Sequence, residues 1–136
     1  MARLLGIDLG SRRIGIALSD AAGTVATPWL VLPRTNDEHD AQAIAELAGA
    51  EGVRTVVLGH PITLGGRVGS AALLAESFAK KLREAGMRVR LWDERLSTTE
   101  AEKHLKKVGV KGPKRREVVD KMAAAIVLQS FLDAKT

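Results

Sequence analysis

Leu4-Leu5-Gly6-Ile7-Asp8-Leu9-Gly10-Ser11-Arg12-Arg13-Ile14-Gly15-Ile16-Ala17-Leu18-Ser19 is the stretch on which the fold turns. Leu4 to Leu9 is nearly all apolar and reads as a buried strand. Arg13 to Ser19 alternates weakly and reads as a second strand. Gly10-Ser11-Arg12 is short enough for a hairpin-type connection between them. Beyond Asp20-Ala21-Ala22-Gly23, Thr24 to Leu32 reads as a third strand, and Pro28 inside it argues for a sheet edge or a bulge. Thr35-Asn36-Asp37-Glu38 has the pattern of a capping box, opening a helix to about Ala50. Val53 to Leu58 is then a strand, Gly69 to Ala85 a helix and Met87 to Trp92 a strand. Ser97-Thr98-Thr99-Glu100 is a second capping box, opening a helix to about Val108. Gly109 to Lys114 is a loop, and Arg115 to Ala134 a final helix. A hairpin meander feeding parallel crossovers predicts an α/β fold, a mixed five-stranded sheet flanked by helices.

The 136 residues suit one domain over 1–136. Apolar residues are 46% and charged residues 27%, which is globular rather than disordered composition. Cysteine is absent, which excludes a disulfide framework, a thiolate zinc site, an iron–sulfur site and a cysteine nucleophile. The longest apolar run, around Ala123 to Leu128, cannot span a bilayer, and Asp8 comes too early for a signal peptide. A cytoplasmic protein with no membrane partner is expected.

The net charge of +5 is unevenly placed. Residues 1–100 hold 12 bases and 12 acids, whereas residues 101–136 hold 9 and 4, so the whole excess lies in the last quarter. Between Lys103 and Lys121 stand eight bases and two acids. Such a stripe binds phosphates by releasing counterions, or is simply a solvated helix face. Trp29, Phe78, Trp92 and Phe131 are the only aromatics, too few for a stacking platform, so affinity for nucleic acid would be mostly electrostatic.

Acids stand out at three places in the sequence. Asp8 follows an apolar strand, where a carboxylate is costly unless it is paired, caps a turn or holds a cation. Asp93 and Glu94 end the fifth strand; alternation puts one on the face of Leu91 and the other on that of Trp92, without saying which matters. Carboxyl ends of strands are where open α/β sheets place ligands. Asp120 shares a helical stripe with Ala124, Val127 and Phe131, an otherwise apolar face. If these acids converge, an all-carboxylate site prefers Mg²⁺ or Mn²⁺ to zinc. Such ions activate water and stabilise the leaving oxygen of a phosphodiester. Arg12, Arg13 and Arg95 would then offset phosphate charge, with Lys107, Lys111, Lys114, Arg115 and Arg116 of the basic segment along the backbone.

Gly6 to Asp20 resembles the opening motif of the YqgF/RuvX family of Holliday-junction-resolvase-like proteins, assigned to 5′-end processing of precursor 16S rRNA. Asp93-Glu94-Arg95-Leu96-Ser97-Thr98 resembles its second motif, and Val119 to Gln129 its third. Gly59-His60-Pro61 with Gly65-Gly66 resembles a fourth, although His60 stands where an apolar residue is usual, and Thr63 and Gly65 replace an Asn-and-acid pattern. The resemblance implies a ribonuclease-H-like fold and a divalent-metal nuclease with Asp8, Glu94 and Asp120 as its acids. It selects Glu94 over Asp93. It also implies precursor rRNA or branched DNA as partner, with the small ribosomal subunit nearby. His60 reads either as a group near the scissile phosphate or as a strand-end His with a satisfied ring nitrogen.

Four activities compete. A metal-dependent endonuclease on structured RNA uses all three acids and the basic segment. A four-way-junction resolvase uses the same site but needs two copies. A nucleotide-binding half of the actin or sugar-kinase type would use Asp8-Leu9-Gly10-Ser11 as a phosphate loop, yet needs a second such domain. A non-catalytic ribosome-associated RNA-binding module needs only the basic stripe and leaves the acids unexplained.

Overall fold

The computed structural model describes residues 3–61, 69–93 and 113–134. Strands β1 (Leu4–Leu9), β2 (Arg13–Ser19) and β3 (Ala26–Pro33) come first. Helix α1 (Asp37–Ala50), β4 (Thr55–His60), α2 (Ser70–Glu84) and β5 (Arg88–Asp93) follow. Helix α3 (Pro113–Ala134) is the longest of the described helices. The sheet order is β3-β2-β1-β4-β5. β1 pairs antiparallel with β2, and β2 with β3, whereas β1–β4 and β4–β5 are parallel. This is the mixed five-stranded sheet that the alternation of elements predicts.

β1 is the central strand, so both of its faces are covered, which is why it reads as an unbroken apolar run. Leu5 and Ile7 pack with Ile14, Ile16, Val56, Leu58 and Val89 against Ile44, Phe78 and Leu82 of α1 and α2. The alternate positions face α3: Ala17 and Val57 meet Ala124, Val127, Leu128 and Phe131. Among the described residues the molecule is therefore three layers, with α1 and α2 on one side of the sheet and α3 on the other.

Several boundaries differ from the sequence reading, each for a physical reason. β3 is an edge strand and is also bulged: Ile16 pairs with Leu30 but Ala17 with Pro28, leaving Trp29 as the extra residue. Both roles suit the missing N–H of Pro28. The cap of α1 is Asn36 rather than Thr35; Asn36 Oδ1 accepts the His39 N–H at 2.8 Å. Thr35 is diverted to Asp40, donating its hydroxyl at 2.6 Å and its N–H at 3.0 Å. α3 starts at Pro113, so Lys114 lies in its first turn rather than in a loop. Proline suits a first helical position because the N–H it lacks has no partner there. Gly52 and Gly86, at φ of 70° and 97°, turn the chain out of α1 and α2 through a backbone region that favours glycine. The expected helix from Ser97 to Val108 lies outside the described residues.

Candidate functional site

Asp8 lies on the α3 face of β1, next in that row after Leu4 and Gly6, and pairs across the ladder with Gly15 of β2. Gly15 has no side chain, and the backbone of α3 occupies the vacated space. A Cβ at Gly15 would collide with the carbonyl oxygen of Asp120. The same device recurs two residues down β1, where a Cβ at Gly6 would lie 2.6 Å from Leu128 Cβ and 2.8 Å from the Ala124 oxygen. Two strand glycines thus form a shallow trough for α3, and the helix positions in it are Asp120, Ala124 and Leu128, spaced by four. The trough sets the helix close enough to the sheet for Asp120 to stand beside Asp8.

The electrostatics of that juxtaposition are visible in Asp8, whose carboxyl is pushed up to about 6. Burial is the larger cause and the neighbouring Asp120 carboxylate the second. Asp120 has a cation of its own: Arg13 Nε donates to Asp120 Oδ2 at 2.5 Å. Arg13 and Gly15 occupy the same face of β2, so one strand supplies both the gap and the charge that seat Asp120. The tight turn beneath is closed by the Gly10 N–H donating to the Arg13 carbonyl at 2.9 Å. A Cβ on Gly10 would sit 2.5 Å from that oxygen.

The other expected site residues are distributed as follows. Asp93 ends β5 opposite His60 and belongs to the alternation of Val89 and Leu91, the face turned to α1 and α2. It is therefore not on the face of Asp8. Glu94, Arg95, Lys107 and Lys111 lie outside the described residues, and Lys114, Arg115 and Arg116 are placed only as the first turn of α3. Arg12 is exposed in the β1–β2 turn, where its carbonyl accepts the Arg34 N–H at 2.9 Å. Arg13 is held by Asp120 rather than extended into solvent. His60 turns toward α2, its Nε2 2.9 Å from Glu76 Oε2, which is the satisfied strand-end histidine. Among the described residues no three His, Asp or Glu side chains gather as a metal-holding group.

Gly6 and Gly15 are the functional positions that reading the sequence did not assign. Their signal was present: a glycine inside a strand marks a place where another backbone comes close. Gln129 is another. Its Oε1 accepts the Ala26 N–H and its Nε2 donates to the Thr24 carbonyl, both at 2.9 Å, so α3 also pins the start of the edge strand.

Two carboxylates in one partly buried spot, one of them pushed toward neutrality, form an oxygen donor pair whose mutual repulsion a divalent cation would relieve. The donor chemistry therefore fits a hard dication, and no described residue supplies the sulfur or paired imidazoles that zinc prefers.

Comparison with known proteins agrees with this geometry. A family model described as "RuvX: Holliday junction resolvase" matches residues 2–134. A protein of Desulforudis audaxviator named "Putative pre-16S rRNA nuclease" is 45% identical over 134 residues, 98% of this chain and 95% of that one. A protein of Geobacillus kaustophilus with the same name is 42% identical over 136 residues, covering 98% and 99%. Among solved structures, Thermus thermophilus RuvC bound to a Holliday junction superposes with a TM-score of 0.54 at 18% identity, covering 98% of this chain and 94% of that one. The fowlpox virus resolvase with its junction DNA gives 0.59 at 9% identity, covering 98% of each chain. These distant structures establish the ribonuclease-H-like fold. The whole-chain match and the relatives above 40% identity go further: this chain belongs to the RuvX family.

Proposed function

We propose that this protein is a divalent-metal-dependent endonuclease that hydrolyses phosphodiester bonds of structured RNA, acting in 5′-end maturation of precursor 16S rRNA beside the small ribosomal subunit. The observation that carries the reading is the Asp8–Asp120 pair. A fold gains nothing from pressing a second carboxylate against a partly buried one; a cation site requires it. The names of the close relatives support the substrate.

In this reading Asp8 and Asp120 hold the metal, Mg²⁺ or Mn²⁺, with Glu94 as the third acid. The family resemblance selects Glu94, and Asp93, on the α1–α2 side of the sheet, is not on the face of Asp8. The metal, when bound, supplies Lewis-acid polarisation of the scissile phosphate and a lowered water pKa. Asp8 enters that state deprotonated. Arg13 keeps one oxygen of Asp120 engaged and leaves the other for the ion. The first turn of α3 contains Lys114, Arg115 and Arg116 and no acid, so the positive helix end and three cations reinforce one another where a phosphate backbone would approach. Arg12 in the exposed turn, with Arg95, Lys107 and Lys111, completes the proposed set of phosphate-binding residues.

The test is a cleavage assay on a labelled precursor-rRNA fragment and on a four-way DNA junction, in Mn²⁺ and in EDTA, with Asp8→Asn as control. RNA cleavage that needs both metal and Asp8 is expected. Cleavage of the junction alone would replace the RNA substrate by branched DNA and demand a dimer. Binding without cleavage in wild type would overturn the nuclease reading in favour of a binding module.

A further inference from the structure

We propose that Arg88, Arg90 and Trp92 on the α3 face of β5 form a track for a single polynucleotide strand leading to the acidic pair. The proposal rests on the nuclease reading above and names where its substrate runs. The ladder fixes the geometry. Ile7 pairs with Leu58, and Leu58 with Leu91, so the next row runs from Asp8 through Gly59 to Trp92. Trp92 therefore lies level with Asp8, two strands away, which is roughly 10 Å. Arg90 and Arg88 follow on the same face at about 7 and 13 Å farther along the strand.

The side chains are disposed to receive phosphates. Arg88 and Arg90 are both exposed and make no ion pair among the described residues. Arg3 is engaged by Glu51, Arg13 by Asp120, Arg34 by Asp37 and Asp40, and Arg83 by the Val89 carbonyl, whereas Arg12 and Arg54, also exposed and without an ion pair among the described residues, are not on β5. Arg90 is held in place without being neutralised, its guanidinium 5.9 Å from the centre of the Phe131 ring. Trp92 is partly exposed and braced edge-on by Phe131 at 5.2 Å, with its Nε1 donating to Ser130 Oγ at 3.0 Å. A braced, partly exposed indole offers a stacking surface to a base or sugar at low entropic cost. Charged residues on an edge strand also deter strand pairing, but cations on either face do that. Both cations on the Asp8 face, in line with an aromatic, point to a polyanion.

The experiment compares Arg88→Gln/Arg90→Gln with Lys80→Gln/Lys81→Gln, which removes the same charge from α2 on the opposite side. Fluorescently labelled single-stranded RNA and its DNA counterpart are titrated in EDTA across a salt series, after thermal melts establish that both variants fold. Two lost phosphate contacts lower the log–log salt slope by about 1.4 and weaken binding roughly tenfold near 0.1 M salt, with the α2 variant unchanged. A loss shared equally by RNA and DNA assigns the track to the phosphates; a loss confined to RNA adds sugar recognition, and either supports it. A Trp29→Phe protein reports on Trp92 alone, and its fluorescence is expected to be quenched on binding. Equal losses in the two double variants, or an unchanged slope, would overturn the track. In turnover, the β5 variant raises KM rather than lowering kcat. Weakened binding with no metal-dependent cleavage by wild type would keep the track and remove the nuclease; cleavage with unaltered KM would do the reverse.

Discussion

Asp8→Asn is expected to stabilise the metal-free protein, and to do so only where Asp8 would be charged. The folded carboxyl sits at about 6 against 3.8 for the unfolded chain. Its pKa is raised, so the folded state prefers the protonated acid. Below pH 3.8 both states are protonated and Asp8 exacts no penalty. As pH rises through the window to about 6, the unfolded chain ionises first and stability is lost. Above that, the penalty is constant at roughly 3 kcal/mol, two pKa units at about 1.4 kcal/mol each. Asparagine cannot ionise, so the variant escapes the penalty while keeping the side chain's shape. In EDTA at pH 8, Asp8→Asn should melt on the order of 10 °C above wild type, and the gap should close by pH 4. Urea unfolding of both proteins across that pH range is the assay. Acids remote from Asp8 are common to the two proteins, so the difference isolates Asp8 together with its neighbour Asp120. A variant less stable than wild type at pH 8, or a gap that does not change with pH, would refute the claim that burial and Asp120 strain this carboxylate.

Three further outcomes follow from the same geometry. Mn²⁺ or Mg²⁺ should raise the melting temperature of wild type but not of Asp8→Asn, and calorimetric affinity should fall roughly tenfold per unit as pH drops below about 6, because the proton must leave Asp8 first. Gly15→Ala should cost about 3 kcal/mol in urea unfolding and abolish the metal-induced shift, since its Cβ meets the Asp120 backbone, whereas Gly49→Ala in α1, with open space around it, should stabilise by about 0.5–1 kcal/mol. Asp40→Asn should cost about 3 kcal/mol at neutral pH, read by the same unfolding. Burial alone would raise the Asp40 carboxyl, but the bonds from Thr35 and the Arg34 guanidinium at 2.7 Å outweigh it and hold it down, so this stabilisation disappears as pH falls below the ordinary carboxylate range.

The elements were legible where one signal dominated. β1 declared itself because a central strand needs apolar residues on both faces, and Pro28 announced an edge or a bulge because it has no N–H to give; the strand has both. The start of α1 was ambiguous because Thr35 and Asn36 are both competent caps, and only the tertiary pull of buried Asp40 diverts Thr35. The site was half legible. Asp8 and Asp120 each looked misplaced among apolar neighbours, and that is a local property. Their meeting is not local: it depends on how close α3 comes to the sheet, which Gly6 and Gly15 set from the far side of the contact. The choice between Asp93 and Glu94 hung on the phase of β5, which neighbouring strands fix and a six-residue segment cannot.

Asp8 and Asp120 are separated by 112 positions (120 − 8) in a chain synthesised from its N-terminus. At roughly 5–20 residues per second, about 6–20 s pass between the emergence of one and of the other. Late in that interval, once β5 is made, the hairpin and the α1–α2 layer have all their own residues, while Ala17 and Val57 lack the α3 that covers them. Docking of α3 closes this second core and creates the acidic pair in the same event, because the trough that receives the helix is the one that aligns Asp120. With that pair as the proposed centre, cutting power and completed folding are one transition. On that reading, a half-made or poorly packed copy has no centre with which to nick the nucleic acids around it.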